Sequence, residues 1–147
     1  MDCHLLIKIR EATKTDAADL RRLNEKFNGV SDISVDQIEY SIENNDHEEV
    51  FVAELEGVIV GFCCVQVFKS FCYEVNYAEI TEIYINDRFQ GRGIGTMLLR
   101  YAERFFETEN IKGFQLFTGG ENVTAQSFYE KAGYKKTSEI MYRKRRR

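Results

Sequence analysis

The chain has 147 residues, 44% of them hydrophobic, with 11 Phe and 8 Tyr, which is the size of one domain with one sizeable core. Its formal net charge is −4, and setting apart the +5 of "RKRRR" (Arg143 to Arg147) leaves −9 on residues 1–142. An acidic body disfavours a nucleic-acid binder, no apolar run approaches the roughly 20 residues of a membrane span, and two His with four scattered Cys argue against a metal site.

The opening "MDCHLLIKIREAT" lacks the basic-then-apolar order of a secretion signal, so the expectation is a cytoplasmic protein. Within it, His4 to Thr13 is short, apolar and partly alternating, which predicts a strand. Thr15 or Asp16 offers a cap for the helix that follows, with Ala17, Leu20, Leu23 and Phe27 on one face. Ser34 is placed to cap a second helix, in which Val35, Ile38 and Ile42 share a face. The acidic run Asp46, Glu48, Glu49 reads as a solvated loop.

Glu49 to Phe71 is rich in Val, Phe and Ile around Glu56-Gly57, the pattern of a β-hairpin. Cys63 and Cys64 fall in its second arm. Neighbours on a strand point to opposite faces, so these two read as buried, reduced thiols that share no ligand. "YAEITEIYIND" is the next strand. Regular alternation places Ile83 and Ile85 on one face and Glu82 and Tyr84 on the other, and it sets Glu79 and Glu82 on opposite faces unless a bulge intervenes.

"QGRGIG" (Gln90 to Gly95) then precedes a helix with Met97, Leu98, Tyr101 and Phe105 on one stripe. "GFQLFTG" is a short strand. "NVTAQSFYEKAGY" reads as a helix capped by Asn122 and ended by Gly133, and "KKTSEIMYRK" as a closing strand. The predicted order is β-α-α-β-β-β-α-β-α-β, an α/β domain with a mixed sheet and helices on both faces. One domain is expected over 1–147.

The glycine turn has two readings. Unpaired amides at a helix start, with the helix dipole behind them, hold an anion such as a pyrophosphate; or glycine serves only the geometry of a tight turn. A Walker loop is excluded because no Lys precedes Thr96. The alternating Gly91, Gly93 and Gly95 do not form the G-x-G-x-x-G of a dinucleotide fold.

Gln90, Gly93 and Gly95 resemble the acyl-CoA pyrophosphate loop of the GNAT superfamily of N-acetyltransferases. Asn122, Ala125, Phe128, Tyr129, Gly133 and Tyr134 resemble that superfamily's second signature, about 30 residues further on. "IREATKTDAADL" and "VAELEGVIVGF" are similar to its first strand-helix unit and its central hairpin. Asp87 stands where many members carry proline.

The resemblance implies a GNAT fold and acetyl-CoA as cosubstrate, with no metal. It implies that the strand through Ile83, Tyr84 and Ile85 binds the pantetheine arm by its backbone. The amides of Gln90, Gly91, Arg92, Gly93, Ile94, Gly95 and Thr96 would take the pyrophosphate. Asn122 would orient the arm, cap its helix, or both. Tyr129 would be the general acid toward the leaving thiolate. The base would be Glu82, or else Glu79. Tyr73, Glu74 and Tyr77 either line the acceptor pocket or pack a loop.

The expected reaction is acetyl transfer to a primary amine of a small molecule, aminoglycoside-, polyamine- or aminoalkylphosphonate-like. A protein N-terminus or lysine is the alternative acceptor. A non-catalytic acyl-CoA sensor is the alternative of another class. Pairing through the last strands, as the resemblance implies, would give a homodimer.

Overall fold

The computed structural model describes residues 6–146, so Cys3, His4 and Arg147 lie outside the described residues. The chain divides into two compact units, Met1–Leu116 and Phe117–Arg147.

The first unit holds β1 (Ile7–Glu11), α1 (Ala17–Asn28), α2 (Val35–Asn44), β2 (Glu49–Leu55), β3 (Val58–Phe68), β4 (Asn76–Ile85), α3 (Ile94–Phe105) and β5 (Ile111–Leu116). The strands lie in the order β1-β2-β3-β4-β5. The first four pair antiparallel, and β5 joins β4 in parallel. Direct returns link β2 to β3 and β3 to β4, α1 and α2 lie between the antiparallel β1 and β2, and the parallel pair needs the α3 crossover. At the β2–β3 turn Glu56 and Gly57 both take positive φ, as a two-residue hairpin of this hand requires.

Residues directly opposite on adjacent strands share a face, and this sorts the core. Leu20, Leu23, Val52, Ile59, Phe62 and Cys64 form a buried cluster, with Ile38, Ile42, Val50 and Tyr84 packed on it; this is the face of α1 and α2. On the opposite face Phe51 meets the rings of Tyr101, Phe105 and Phe106, and Leu98, Leu99 and Ala102 of α3 are buried. Cys63 and Cys64 therefore point to opposite faces. Burial pushes the Cys63 thiol up to about 12.

The helix starts follow two routes. Ser34 Oγ accepts from the Gln37 amide (3.1 Å) while Gln37 Oε1 accepts from the Ser34 amide (2.8 Å), a reciprocal cap. Asp16 precedes α1 but makes no such cap. Its carboxylate instead accepts from Arg10 (2.7 and 2.9 Å) and from the Thr13 amide (2.8 Å), and Arg10 also reaches Glu54 (3.0 Å). Asp16 thus ties β1, β2 and the α1 entry together.

Arg10 first, with the Thr13 amide helping, holds Asp16 below the usual carboxylate range. A depressed folded-state affinity for protons contributes stability above the carboxyl's ordinary range and loses it as pH falls through the lowered one. Asp16→Asn is expected to cost about 1–3 kcal/mol at neutral pH, with the deficit shrinking in acid. Urea unfolding at pH 7 and pH 3 measures both.

The second unit contains α4 (Val123–Lys131). Asn122 Oδ1 accepts from the Ala125 amide (3.1 Å). At the other end Gly133 has φ +96°. The Gly133 amide donates to the Glu130 carbonyl (3.1 Å) and the Tyr134 amide to the Tyr129 carbonyl (3.0 Å), the paired closure that a left-handed C′ residue permits.

The closing strand expected over Lys135 to Lys144 does not form. Residues 135–146 carry no strand and belong to no ladder among the described residues. Lysines and arginines flank its few apolar side chains, and Ile140 and Met141 remain exposed. The segment has strand composition without an apolar face that a sheet would bury.

Candidate functional site

The site is built on the far half of β4. Its pairing with β5 runs from Asn76↔Ile111 to Ile80↔Leu116 and ends there. Pairing with β3 continues to Ile85. Thr81 to Ile85 therefore have a strand on one side only. Asn86 N donates to the Val60 carbonyl of β3, so by alternation Ile83 and Ile85 turn their amides toward the open edge. That edge is a row of main-chain donors and acceptors with no strand to meet them.

A bulge marks where the edge opens. The register passes from Cys64↔Glu82 to Val65↔Ile80, which leaves Thr81 as the extra residue. Its Oγ1 donates to the Cys64 carbonyl (3.3 Å). The bulge resets the alternation. Glu79 stands opposite Gln66 and Glu82 opposite Cys64, and Gln66 and Cys64 are two apart on β3. Both glutamates consequently lie on the α1/α2 face, whereas unbroken alternation would have separated them.

The two are not equivalent. Glu79 Oε1 accepts from Gln115 Nε2 (3.3 Å). Glu82 is half-buried, its carboxylate makes no hydrogen bond or ion pair with any described residue, and it is pushed up by burial. A carboxylate held short of water without a partner is a proton acceptor in waiting.

Beyond Ile85 the chain turns through a short 3₁₀ segment, Asp87–Phe89, capped by Asn86 Oδ1 accepting from the Arg88 amide (3.2 Å). Gln90 folds back. Its Nε2 donates to the Ile85 carbonyl (2.9 Å) and to Asp87 Oδ1 (3.1 Å), which also accepts from the Tyr84 hydroxyl (3.2 Å). Asp87, in the place of the proline common in the resembling family, thus anchors both the strand end and the turn. The Arg92 guanidinium lies over the Phe89 ring at 5.4 Å.

Gly91 (φ +77°) and Gly93 (φ +83°) are left-handed, a conformation that costs any other residue about 1–2 kcal/mol. Gly93 is the N-cap of α3 and offers no side-chain cap. The first intrahelical bond is Met97 N to Gly93 O (3.1 Å), so the amides of Ile94, Gly95 and Thr96 have no acceptor within the helix. Three orphan donors at the positive end of a helix dipole suit a phosphate or pyrophosphate. Gln90, Gly91, Arg92 and Gly93 are exposed and Gly95 and Thr96 half-buried, while Ile94 is buried and anchors the helix.

Packing beneath the strand is tight. A Cβ on Gly61 would stand 2.7 Å from Ile85 Cδ1 and 3.0 Å from the Tyr84 carbonyl oxygen. Phe27 of α1 stacks on Tyr84 (centroids 5.1 Å apart). Both contacts fix the backbone on the closed side of β4.

Tyr73, Glu74 and Tyr77 stand elsewhere. Tyr77 precedes Ile83 by six strand residues, about 20 Å, and the Glu74 carbonyl accepts from Asn110 Nδ2 (2.6 Å). In the second unit, Tyr129 is half-buried on α4, its ring 5.2 Å from Phe128 and 6.2 Å from Tyr134. Asn122 serves as the α4 cap.

One titratable neighbour is absent from the sequence reading. Glu48, assigned there to a solvated loop, is half-buried and pushed up by burial and then by the charge of Glu82. Only the pairing of three strands brings the two together.

A sequence model of the acetyltransferase (GNAT) family matches residues 17–134. An uncharacterized N-acetyltransferase of Methanocaldococcus jannaschii is 31% identical over 151 residues, which span 95% of this chain and 67% of the relative. Among solved structures, an aminoglycoside acetyltransferase from an uncultured soil metagenomic sample, in complex with sisomicin, superposes with a TM-score of 0.83 at 20% identity, covering 97% of this chain and 99% of that one. The ribosomal-protein-alanine N-acetyltransferase of Brucella melitensis biovar Abortus gives 0.79 at 17%, covering 95% and 98%. At these identities the superpositions establish a shared fold, and that fold serves acceptors of different kinds.

Proposed function

Since the chain belongs to the acetyltransferase (GNAT) family and is an acyltransferase, we propose that it moves an acetyl group from acetyl-CoA to a primary amine of a small molecule by direct attack. The observation that carries this reading is the unpaired β4 edge at Thr81 to Ile85, which opens beside Glu82 and runs into the uncapped start of α3. The edge at Ile83 and Ile85 suits the amide-rich pantetheine arm, which binds as another strand would. The amides from Gln90 to Thr96 suit the pyrophosphate. This reading also assigns Asn122 and Tyr129 of the second unit to the reaction, by their match to the family's second signature. It treats both units as one catalytic domain, because the family match runs through both.

When bound, acetyl-CoA supplies an activated thioester. The chain's own groups do the rest. Glu82 takes the proton the amine nitrogen must lose, directly or through a water. As the amine's C–N bond forms, the thioester oxygen gains charge, and a backbone amide of the β4 edge near Ile83 stabilises it. As the C–S bond breaks, the Tyr129 hydroxyl gives its proton to the departing sulfur. Proton count balances for an ammonium substrate: the nitrogen gives one proton to Glu82 before attack and a second after the C–N bond forms, which restores the Tyr129 hydroxyl through water, and Glu82 returns its proton to solvent.

A small-molecule acceptor accords with the acidic body, which attracts amines as cations. The test is thiol release from acetyl-CoA by the purified chain against aminoglycosides, polyamines, aminoalkylphosphonates and peptides with free N-termini or lysines. Turnover on a small amine is expected. Turnover on peptides alone would replace the acceptor, and tight CoA binding with no turnover on any amine would replace catalysis by sensing.

A further inference from the structure

We propose that Asp87 is a positioning residue for the acyl donor: by holding the Gln90 side-chain amide on the Ile85 carbonyl, it closes the end of the open β4 edge and sets where the glycine turn begins. The proposal rests on the reading of that edge and turn as the acetyl-CoA site.

The main-chain groups of Ile83 and Ile85 face the open edge, since β4 there pairs with β3 alone and Asn86 turns its amide to β3. An open edge offers a strand-like arm every group along it, and the strand itself does not say where pairing stops. Gln90 supplies the stop. The Phe89 amide donates to the Asn86 carbonyl (2.8 Å), and the chain returns so that Gln90 Nε2 donates to the Ile85 carbonyl (2.9 Å). The last acceptor on the edge is taken. Left for an arm are the donor and acceptor of Ile83 and the donor of Ile85, which limits how far along β4 the arm can pair.

Asp87 keeps Gln90 in that place. A primary amide nitrogen carries two hydrogens. One goes to the Ile85 carbonyl and the other to Asp87 Oδ1 (3.1 Å). Both neighbours only accept, so only the nitrogen end of the amide fits against them. Gln90 is exposed, and a single bond there would compete with water on equal terms. The same Oδ1 accepts from the Tyr84 hydroxyl (3.2 Å). Tyr84 is itself held from the other side, stacked on Phe27 (5.1 Å) and tilted against the buried Phe62 (6.3 Å). The carboxylate takes its position from this packed aromatic group and passes it to Gln90.

The glycine turn needs such a support. Gly91 and Gly93 are both left-handed and have no side chain to fix where the turn starts. The proline common at position 87 in the family would restrain the turn through φ alone. Asp87 restrains it through a side chain that also reaches the edge. Asn86 has ψ 134°, which a following proline accepts, so the two kinds of restraint can be exchanged in this chain.

The experiment is calorimetry of CoA binding to the wild-type chain, Asp87→Ala, Asp87→Asn, Asp87→Pro, Gln90→Ala and the double variant Asp87→Ala/Gln90→Ala. It is joined by KM for acetyl-CoA and kcat on whichever amine the panel identifies, and by ¹H–¹⁵N spectra of the Gln90 side-chain amide without ligand. Asp87→Ala should weaken CoA by roughly three- to tenfold, the worth of one or two surface hydrogen bonds. KM for acetyl-CoA should rise in parallel while kcat changes far less. Asp87→Asn keeps Oδ1 and should recover most of the loss. Asp87→Pro should bind no better than Asp87→Ala. In the Gln90→Ala background, Asp87→Ala should add little, because the two act as one unit. Unchanged CoA affinity in Asp87→Ala, wild-type affinity in Asp87→Pro, or fully additive losses in the double variant would each overturn the proposal. A wild-type chain that binds no CoA would instead overturn the reading of the edge as the donor site, while the Gln90 amide signals, shifted in wild type and moved toward those of a free glutamine in Asp87→Ala, still report the contact.

Discussion

Glu82→Gln is expected to lower kcat/KM by roughly 10²–10⁴-fold at neutral pH, the range a positioned general base contributes. A primary amine is a cation at neutral pH, and its nitrogen has no lone pair to offer until a proton leaves. Glu82 is half-buried beside the open β4 edge, its carboxylate has no hydrogen-bonding or ionic partner among the described residues, and it is raised by burial. As a base it works only when ionised, so wild-type kcat/KM should fall as pH drops through this raised affinity, at a higher pH than an ordinary glutamate would give. The Gln variant should lack that limb.

Stability separates lost chemistry from lost structure. A carboxyl whose folded-state proton affinity is raised destabilises the fold as pH climbs through that range, so Glu82→Gln should melt no lower than wild type at pH 7. Glu79→Gln, which removes a group already engaged by Gln115, should change kcat/KM by far less. Equal losses in both variants, or none in Glu82→Gln, would sink the assignment.

Features that depend on a few neighbouring residues were legible in the sequence. The Ser34 and Asn122 caps, the Gly133 helix end, the Glu56-Gly57 hairpin and the glycine turn before α3 each follow from local backbone preference, and each stands where the pattern placed it. The opposite faces of Cys63 and Cys64 follow from strand alternation alone.

Features that depend on pairing were not legible. Nothing in "AEITEIY" says that Thr81 is extruded, yet that one residue brings Glu79 and Glu82 to a common face. Glu48 looked like part of a solvated acidic run because its environment comes from β3 and β4, not from its neighbours in the chain. Asp16 looked like a helix cap, but Arg10 on an adjacent strand captured its carboxylate. Lys135 to Lys144 had the composition of a strand, and composition does not supply a partner. A local signal fixes a residue's conformation. Its electrostatic surroundings depend on register, which a single sequence encodes only weakly.

Tyr129→Phe isolates the other half of the proton traffic. The change deletes one hydroxyl and leaves the ring, so the contacts with Phe128 and Tyr134 on α4 should persist and the stability cost should not exceed that of one hydroxyl hydrogen bond, about 0.5–1.5 kcal/mol. If the hydroxyl protonates the departing sulfur, kcat and kcat/KM should fall together by roughly 10²–10⁴-fold. Affinity for acetyl-CoA, measured by calorimetry, should stay unchanged, because the group acts on charge that exists only as the C–S bond breaks. An acyl donor with a more acidic thiol needs less protonation as it leaves, so the variant should recover part of its deficit on such a donor while Glu82→Gln should not. That crossed dependence assigns the two protons to two residues. A Tyr129→Phe rate within threefold of wild type, or an equal deficit on both donors, would mean that the thiolate leaves without help from α4, and the acid would have to be water.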